Sequence, residues 1–185
     1  MQFVAFESGV EVNGTTINSV IDGLGSYKTL AWNYLIEAGI GERKDGEYDL
    51  DPDGWYSQER WLKVFEKIAE KIGDFPLKQI GMKIPENAVF PPWVKDVDSA
   101  VKAIDVAYHM NHRGGEIGHY NFAATGPAAG TVVCNNPYPC DFDRGIITAM
   151  AKRFAPSAGK VRVGHDDTKP CRKNGAESCT YNVSW

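Results

Sequence analysis

A change of texture at Gly114-Gly115 does most to limit what this chain can fold into. Ahead of it, apolar residues recur at helical spacing. Behind it, short β-branched and aromatic runs are separated by Gly and Pro. Ile17, Val20, Ile21 and Leu24 complete an i, i+3, i+4, i+7 stripe. That stripe favours a helix capped by Thr15 or Thr16 over a hairpin closed at Asn13-Gly14. A second helix is expected from about Ser26 to Ala38, ended by Gly39. Ser57 opens the clearest helix, with Trp61, Leu62, Phe65, Ile68, Ala69 and Ile72 on one face, and Gly73 stops it. Pro85, Pro91 and Pro92 mark an irregular stretch. A further helix from near Asp96 carries Val97, Val101, Ile104 and Tyr108 as its seam and ends at Gly114-Gly115. Beyond the break, Glu116–Ala124 and Gly130–Asn135 read as strands, Asp141–Phe154 as a helix, and Val161–Val163 and Cys179–Trp185 as two last strands. The order predicts an α+β fold, a small antiparallel sheet covered by helices. The 185 residues suit one domain, with 1–113 its mainly helical half and 114–185 its sheet-containing half.

Composition narrows the function classes. A net charge of −4 without a Lys/Arg cluster argues against nucleic acid. No window reaches the roughly 18 consecutive apolar residues of a membrane span. The start, Met1 to Glu7, lacks the basic and apolar runs of a secretory signal. A cytoplasmic location with reduced thiols is therefore expected. A secreted chain shorn of its leader is the alternative.

All four cysteines fall in the last third: Cys134 and Cys140 as C-x5-C, then 30 residues, then Cys171 and Cys179 as C-x7-C. Two local pairs on a long connection suit a tetrahedral zinc site, each pair lending two thiolates from one bend. Turn residues lie inside both pairs, Asn135-Asn136-Pro137-Tyr138-Pro139 in the first and Lys173-Asn174-Gly175 in the second. Buried free thiols, or a Cys171–Cys179 cross-link, are the bland alternative.

The run Cys171-Arg172-Lys173-Asn174-Gly175-Ala176-Glu177-Ser178-Cys179, followed by the alternating Thr180-Tyr181-Asn182-Val183, resembles the C-terminal signature of the 4-vinyl reductase-like domain. That small-molecule-binding domain is related to the heme nitric-oxide-binding and trafficking-particle folds. The likeness covers Cys134–Trp185 and is only textural before it. It implies an α+β fold, a zinc site, and a buried pocket for a small hydrophobic or aromatic molecule. Cys140, Cys171 and Cys179 match the family's three cysteine ligands in order. The fourth ligand would be Glu116 by family position or Cys134 by softness, and thiolate chemistry favours Cys134. Trp93, Tyr108, Tyr120 and Phe122 are the expected pocket walls. The trafficking-particle kinship leaves a homodimeric scaffold as a further reading.

Three histidines cluster at His109, His112 and His119. One could hydrogen-bond a pocket ligand, or the set could bind heme or a second metal in a redox protein or enzyme. The plain alternative is a polar helix end. His109 follows Asp105 by one turn, so the carboxylate could accept from its imidazole. Asp49-Leu50-Asp51-Pro52-Asp53-Gly54 imitates half a calcium loop, but Arg60 stands where the bidentate Glu belongs, so an acidic turn before the Ser57 helix is favoured. No nucleophile elbow, P-loop or dinucleotide fingerprint is present, so no catalytic residue is assigned and a non-catalytic binding or sensory domain is expected.

Overall fold

The computed structural model describes residues 1–88 and 90–185. The fold is α+β. In the first half, β1 (Glu11–Asn13) leads into α1 (Gly14–Gly23) and α2 (Lys28–Glu37). A hairpin, β2 (Glu42–Lys44) and β3 (Glu47–Asp49), precedes β4 (Trp55–Ser57), α3 (Gln58–Ile72), α4 (Asp74–Lys83) and α5 (Val97–Met110). The second half holds β5 (His112–Arg113), β6 (His119–Gly126), β7 (Ala129–Asn135), α6 (Cys140–Phe154), β8 (Arg162–His165) and β9 (Cys179–Ser184).

Local chemistry accounts for the boundaries. Ser57 caps α3 by accepting from the Arg60 amide, and Gly73 at φ 75° ends it. Asp96 and Ser99 form a reciprocal capping box at the start of α5. Asn13, rather than Thr15 or Thr16, caps α1, accepting from the Thr15 amide. Glu11–Asn13 is itself a strand, paired with both β4 and β5. The first half is thus less purely helical than its sequence suggests. Its strands are three residues long, too short to print a period-two pattern. Asp45 and Gly46, both at positive φ, close the β2–β3 hairpin as a two-residue turn.

The main sheet is antiparallel throughout, in the order β6-β7-β9-β8. α6 lies close to α4 because both are bare at the crossing. A Cβ on Gly145 would meet the Lys78 carbonyl oxygen at 2.2 Å, and one on Gly81 the Phe142 carbonyl oxygen at 2.1 Å. The core spans both halves, from Val12, Ile17, Trp61, Leu62 and Phe65 to Ile147, Tyr181 and Val183. Phe65 is its hinge point, stacked on Trp61 and edge-on to Phe142.

Candidate metal centre

Three of the four cysteines converge. Cys140 is the first residue of α6, delivered by the turn at Asn136–Pro139. Cys179 opens β9, and Cys171 sits in the loop that returns from β8. That loop folds onto itself: the amides of Asn174 and Ala176 both donate to the Cys171 carbonyl, and Gly175 turns at φ 86°. The sulfurs lie 3.3 Å apart for Cys140–Cys179, 3.5 Å for Cys140–Cys171 and 3.7 Å for Cys171–Cys179. Sulfurs held at ~2.3 Å around a tetrahedral zinc ion would stand about 3.8 Å apart. All four cysteines are free thiols.

The fourth member is His165, the last residue of β8. One donor atom from each of Cys140, His165, Cys171 and Cys179 lies within 4.8 Å of the other three. His165 Nδ1 pairs with the Asp167 carboxylate at 2.9 Å, while Nε2 is buried and has no hydrogen-bond partner among the described residues. This is the arrangement of a metal-binding imidazole whose tautomer is fixed by a carboxylate behind it. Burial works against protonating His165, but the Cys179 sulfur and Asp167 outweigh it and raise its pKa above the ordinary value.

The expected fourth ligand is therefore corrected. Cys134 is fully buried and lies opposite Cys179 across β7 and β9, but outside the cluster of donors. Burial, then the Asp143 carboxylate, push its thiol well above the usual range, so it stays protonated. Glu116 is spent elsewhere, accepting from the Gly118 amide at 2.6 Å. His165 escaped notice because the strand expected at Val161–Val163 stopped short of it. The available signal was a histidine two residues before an aspartate, between the second and third cysteines.

A buried cation supports the cluster. Arg172 donates through its amide and its Nε to the Cys179 sulfur, at 3.3 and 3.5 Å. Its guanidinium also pairs with Asp143 and with Asn136, all three residues being essentially inaccessible. Cys140, which can donate to the Cys179 sulfur, and Arg172 together hold the Cys179 thiol far below its ordinary range, whereas Cys140 is pushed up. The Gln2 side-chain amide donates to the Cys140 sulfur at 2.6 Å. Outside the sulfurs lies a cleft of about 330 Å³, rimmed by Arg144, Lys169 and Lys173 with Asp141 and Asp167.

The other expected site residues go to different places. Tyr108 and Tyr120 meet edge-on at 5.3 Å, with Tyr108 donating to the Ile117 carbonyl and Tyr120 to Asp143. Trp93 is exposed in the loop before α5, and Phe122 is half-buried beneath Lys102. His112 lies beyond the end of α5, on β5, yet is buried. Its Nδ1 donates to the Tyr108 carbonyl and its Nε2 accepts from the Tyr138 hydroxyl, both at 2.8 Å. Burial lowers its pKa to about 4. His109 and His119 are exposed and flank Asp105. The acidic run at 49–54 forms a turn, with Asp51 Oδ1 accepting from the Asp53 amide, and β4 separates it from α3.

No protein-family model matches this chain, and no curated protein does. Solved structures do. An H-NOX protein from S. oneidensis in its Fe(II) state aligns with a TM-score of 0.63 at 18% identity, over 93% of this chain and 95% of that one. The same organism's Fe(II)NO form gives 0.62 at 16%, over 93% and 98%. A structure described as probing heme distortion in the H-NOX family gives 0.66 at 14%, over 94% of both chains. The chain therefore has the H-NOX fold. This overturns the expected kinship with the 4-vinyl reductase-like domain; of the folds named alongside it, the heme nitric-oxide-binding one is the match.

That fold raises the question of heme. An iron ligand needs a nitrogen lone pair facing a slot as wide as a porphyrin. His112 is the buried imidazole of the α5 end, and both its nitrogens are engaged. The Tyr108 and Tyr138 rings lie 4.5 and 5.8 Å from it, and Tyr138 in turn contacts Phe65 and Phe142. Arranged in this way, the residues around His112 do not fit a heme.

Proposed function

We propose that this protein is a ligand-binding domain on the H-NOX fold whose resident group is one zinc ion, held by Cys140, Cys171, Cys179 and His165. The observation that carries the reading is a buried His165 Nε2 without a partner among the described residues, on an imidazole that brings a donor atom within 4.8 Å of three sulfurs already at near-tetrahedral spacing. Soft sulfur with one imidazole is a donor set that zinc takes in closed, four-coordinate sites. Zinc there would supply cross-linking, since four protein ligands leave no position for water. The ligands do the rest. Cys140 anchors the start of α6, Cys179 and His165 the adjoining ends of β9 and β8, and Cys171 the loop between them. Arg172 offsets the excess negative charge of three thiolates.

A second reading comes from the fold. Its solved neighbours include proteins described by their heme distortion and by an Fe(II)NO state, which favours a heme-based sensor of a small gaseous molecule. In this chain it would require the His112–Tyr138 hydrogen bond to break and the surrounding aromatic rings to part.

Native mass spectrometry of protein purified without chelators, paired with an absorption spectrum, separates the two. The zinc reading expects one zinc per chain, no strong visible band, and loss of the metal in Cys179→Ser and His165→Ala. Cobalt in place of zinc should give thiolate charge-transfer bands. Metal-free protein, or zinc retained by His165→Ala, would sink it, and a Soret band on supplying heme would establish the alternative.

A further inference from the structure

We propose that Asp105, His109 and His119 form a second, solvent-open site for a late first-row divalent cation such as Zn²⁺ or Ni²⁺. It is independent of the cysteine cluster. One donor atom from each of the three residues lies within 4.8 Å of the other two. His109 comes from the turn of α5 after Asp105, and His119 from the first position of β6, so a helix and the sheet edge supply one imidazole each. The two rings face each other at 4.9 Å between centroids and 30° between planes. Asp105 lies between them. Its Oδ2 is 3.6 Å from His109 Nδ1, and its Oδ1 is 3.5 Å from His119 Nδ1.

The carboxylate is already oriented, because Oδ1 also accepts from the Tyr120 amide at 2.8 Å. His109 is oriented too, since its Nδ1 lies 2.9 Å from the Asp105 carbonyl oxygen. That bond fixes the proton on Nδ1 and leaves the Nε2 lone pair for a metal. Ligand atoms at ~2.0–2.2 Å from a tetrahedral ion stand about 3.4 Å apart. With His109 donating through Nε2 rather than Nδ1, the exposed His109 and His119 rings must rotate to close the set, which begins with one donor atom of each residue within 4.8 Å of the others. Two imidazoles and one carboxylate suit zinc, nickel or copper and give calcium or magnesium too few oxygens. Three protein ligands leave further positions open. These face a depression of about 490 Å³ walled by Val106 and Met110, which stand exposed beside the histidines. The site is therefore built to take an exogenous ligand on its metal, which the closed cysteine cluster is not.

The test is a Zn²⁺ titration of the full chain, followed through the imidazole ¹⁵N signals of the histidines. Both His109 and His119 signals should shift together on adding one equivalent beyond what the cysteines hold, and Mg²⁺ should leave them unmoved. His119→Ala, at an exposed position, should weaken this equivalent at least tenfold without altering cobalt–thiolate bands at the other centre. Unmoved imidazole signals, or undiminished affinity in His119→Ala, would overturn the proposal. Loss of the thiolate bands alone would bear only on the cysteine site.

Discussion

His112 is a buried base whose proton the folded chain refuses. Its pKa falls from 6.5 to about 4 on folding, chiefly through desolvation. Between those values the unfolded chain binds the proton and the folded chain does not. The stability His112 contributes is therefore fully present above pH 6.5 and lost as pH falls toward 4. A shift of this size corresponds to roughly 3 kcal/mol. Denaturant melts at pH 7 and pH 4.5 should reveal that decline, and His112→Gln should flatten it. An unchanged slope in the variant would assign the acid sensitivity to other groups.

Arg172 presents the opposite case, a buried charge that needs its partner. With Asp143 fully inaccessible beside it, Arg172→Met would strand a carboxylate in the core. Breaking such a pair from one side costs about 3–5 kcal/mol. The double variant Arg172→Met/Asp143→Leu should recover much of that loss. Denaturation midpoints for the single and double variants check this, and a near-neutral single variant would deny the pair its role.

Among the elements, the α4–α6 contact is the most exacting. Gly81 and Gly145 sit where an added Cβ would come within 2.1–2.2 Å of a carbonyl oxygen of the opposing helix. Gly145→Ala should force the helices apart and cost about 1–3 kcal/mol, the usual range for overpacking. Gly164→Ala, where an added Cβ meets nothing within 4 Å, is the control and should be nearly silent. The helix pair also shows what a sequence reveals. α3 announced itself, because its Ser57 cap, apolar stripe and Gly73 stop all agree. α4 did not, since it follows the Gly73 break at once, bears Pro76 in its first turn, and buries only Leu77, Ile80 and Gly81. The α+β order and the β6–β9 strands were legible from β-branched runs. Spacing pointed to all four cysteines as two local pairs, of which the structure brings Cys140, Cys171 and Cys179 together. The choice of His165 over Cys134 was not legible, because it depends on which way two neighbouring strands turn their side chains at one end.

At the scale of the whole molecule, the cysteine cluster brings the start of α6 together with the adjoining ends of β8 and β9 and the loop between them. Withdrawing the proposed zinc with a chelator should lower stability by the linkage term, about 4 kcal/mol for a site held at a thousandfold excess over its dissociation constant. Hydrogen exchange should then rise first in the 166–178 loop and the start of β9, with α3 the last to open. Uniform loss of protection would point to a centre without a local clamp.

The bare helix crossing has a mechanical consequence. Cys140 is the first residue of α6, Gly145 presses that helix against α4 five residues later, and Lys173 beside the cluster grips Asp74 at the head of α4 at 2.6 Å. With backbone meeting backbone at Gly81 and Gly145, the crossing has little slack, and a displacement of one helix should be passed to the other. Whatever loosens the sulfurs at one end should therefore be felt along both rods.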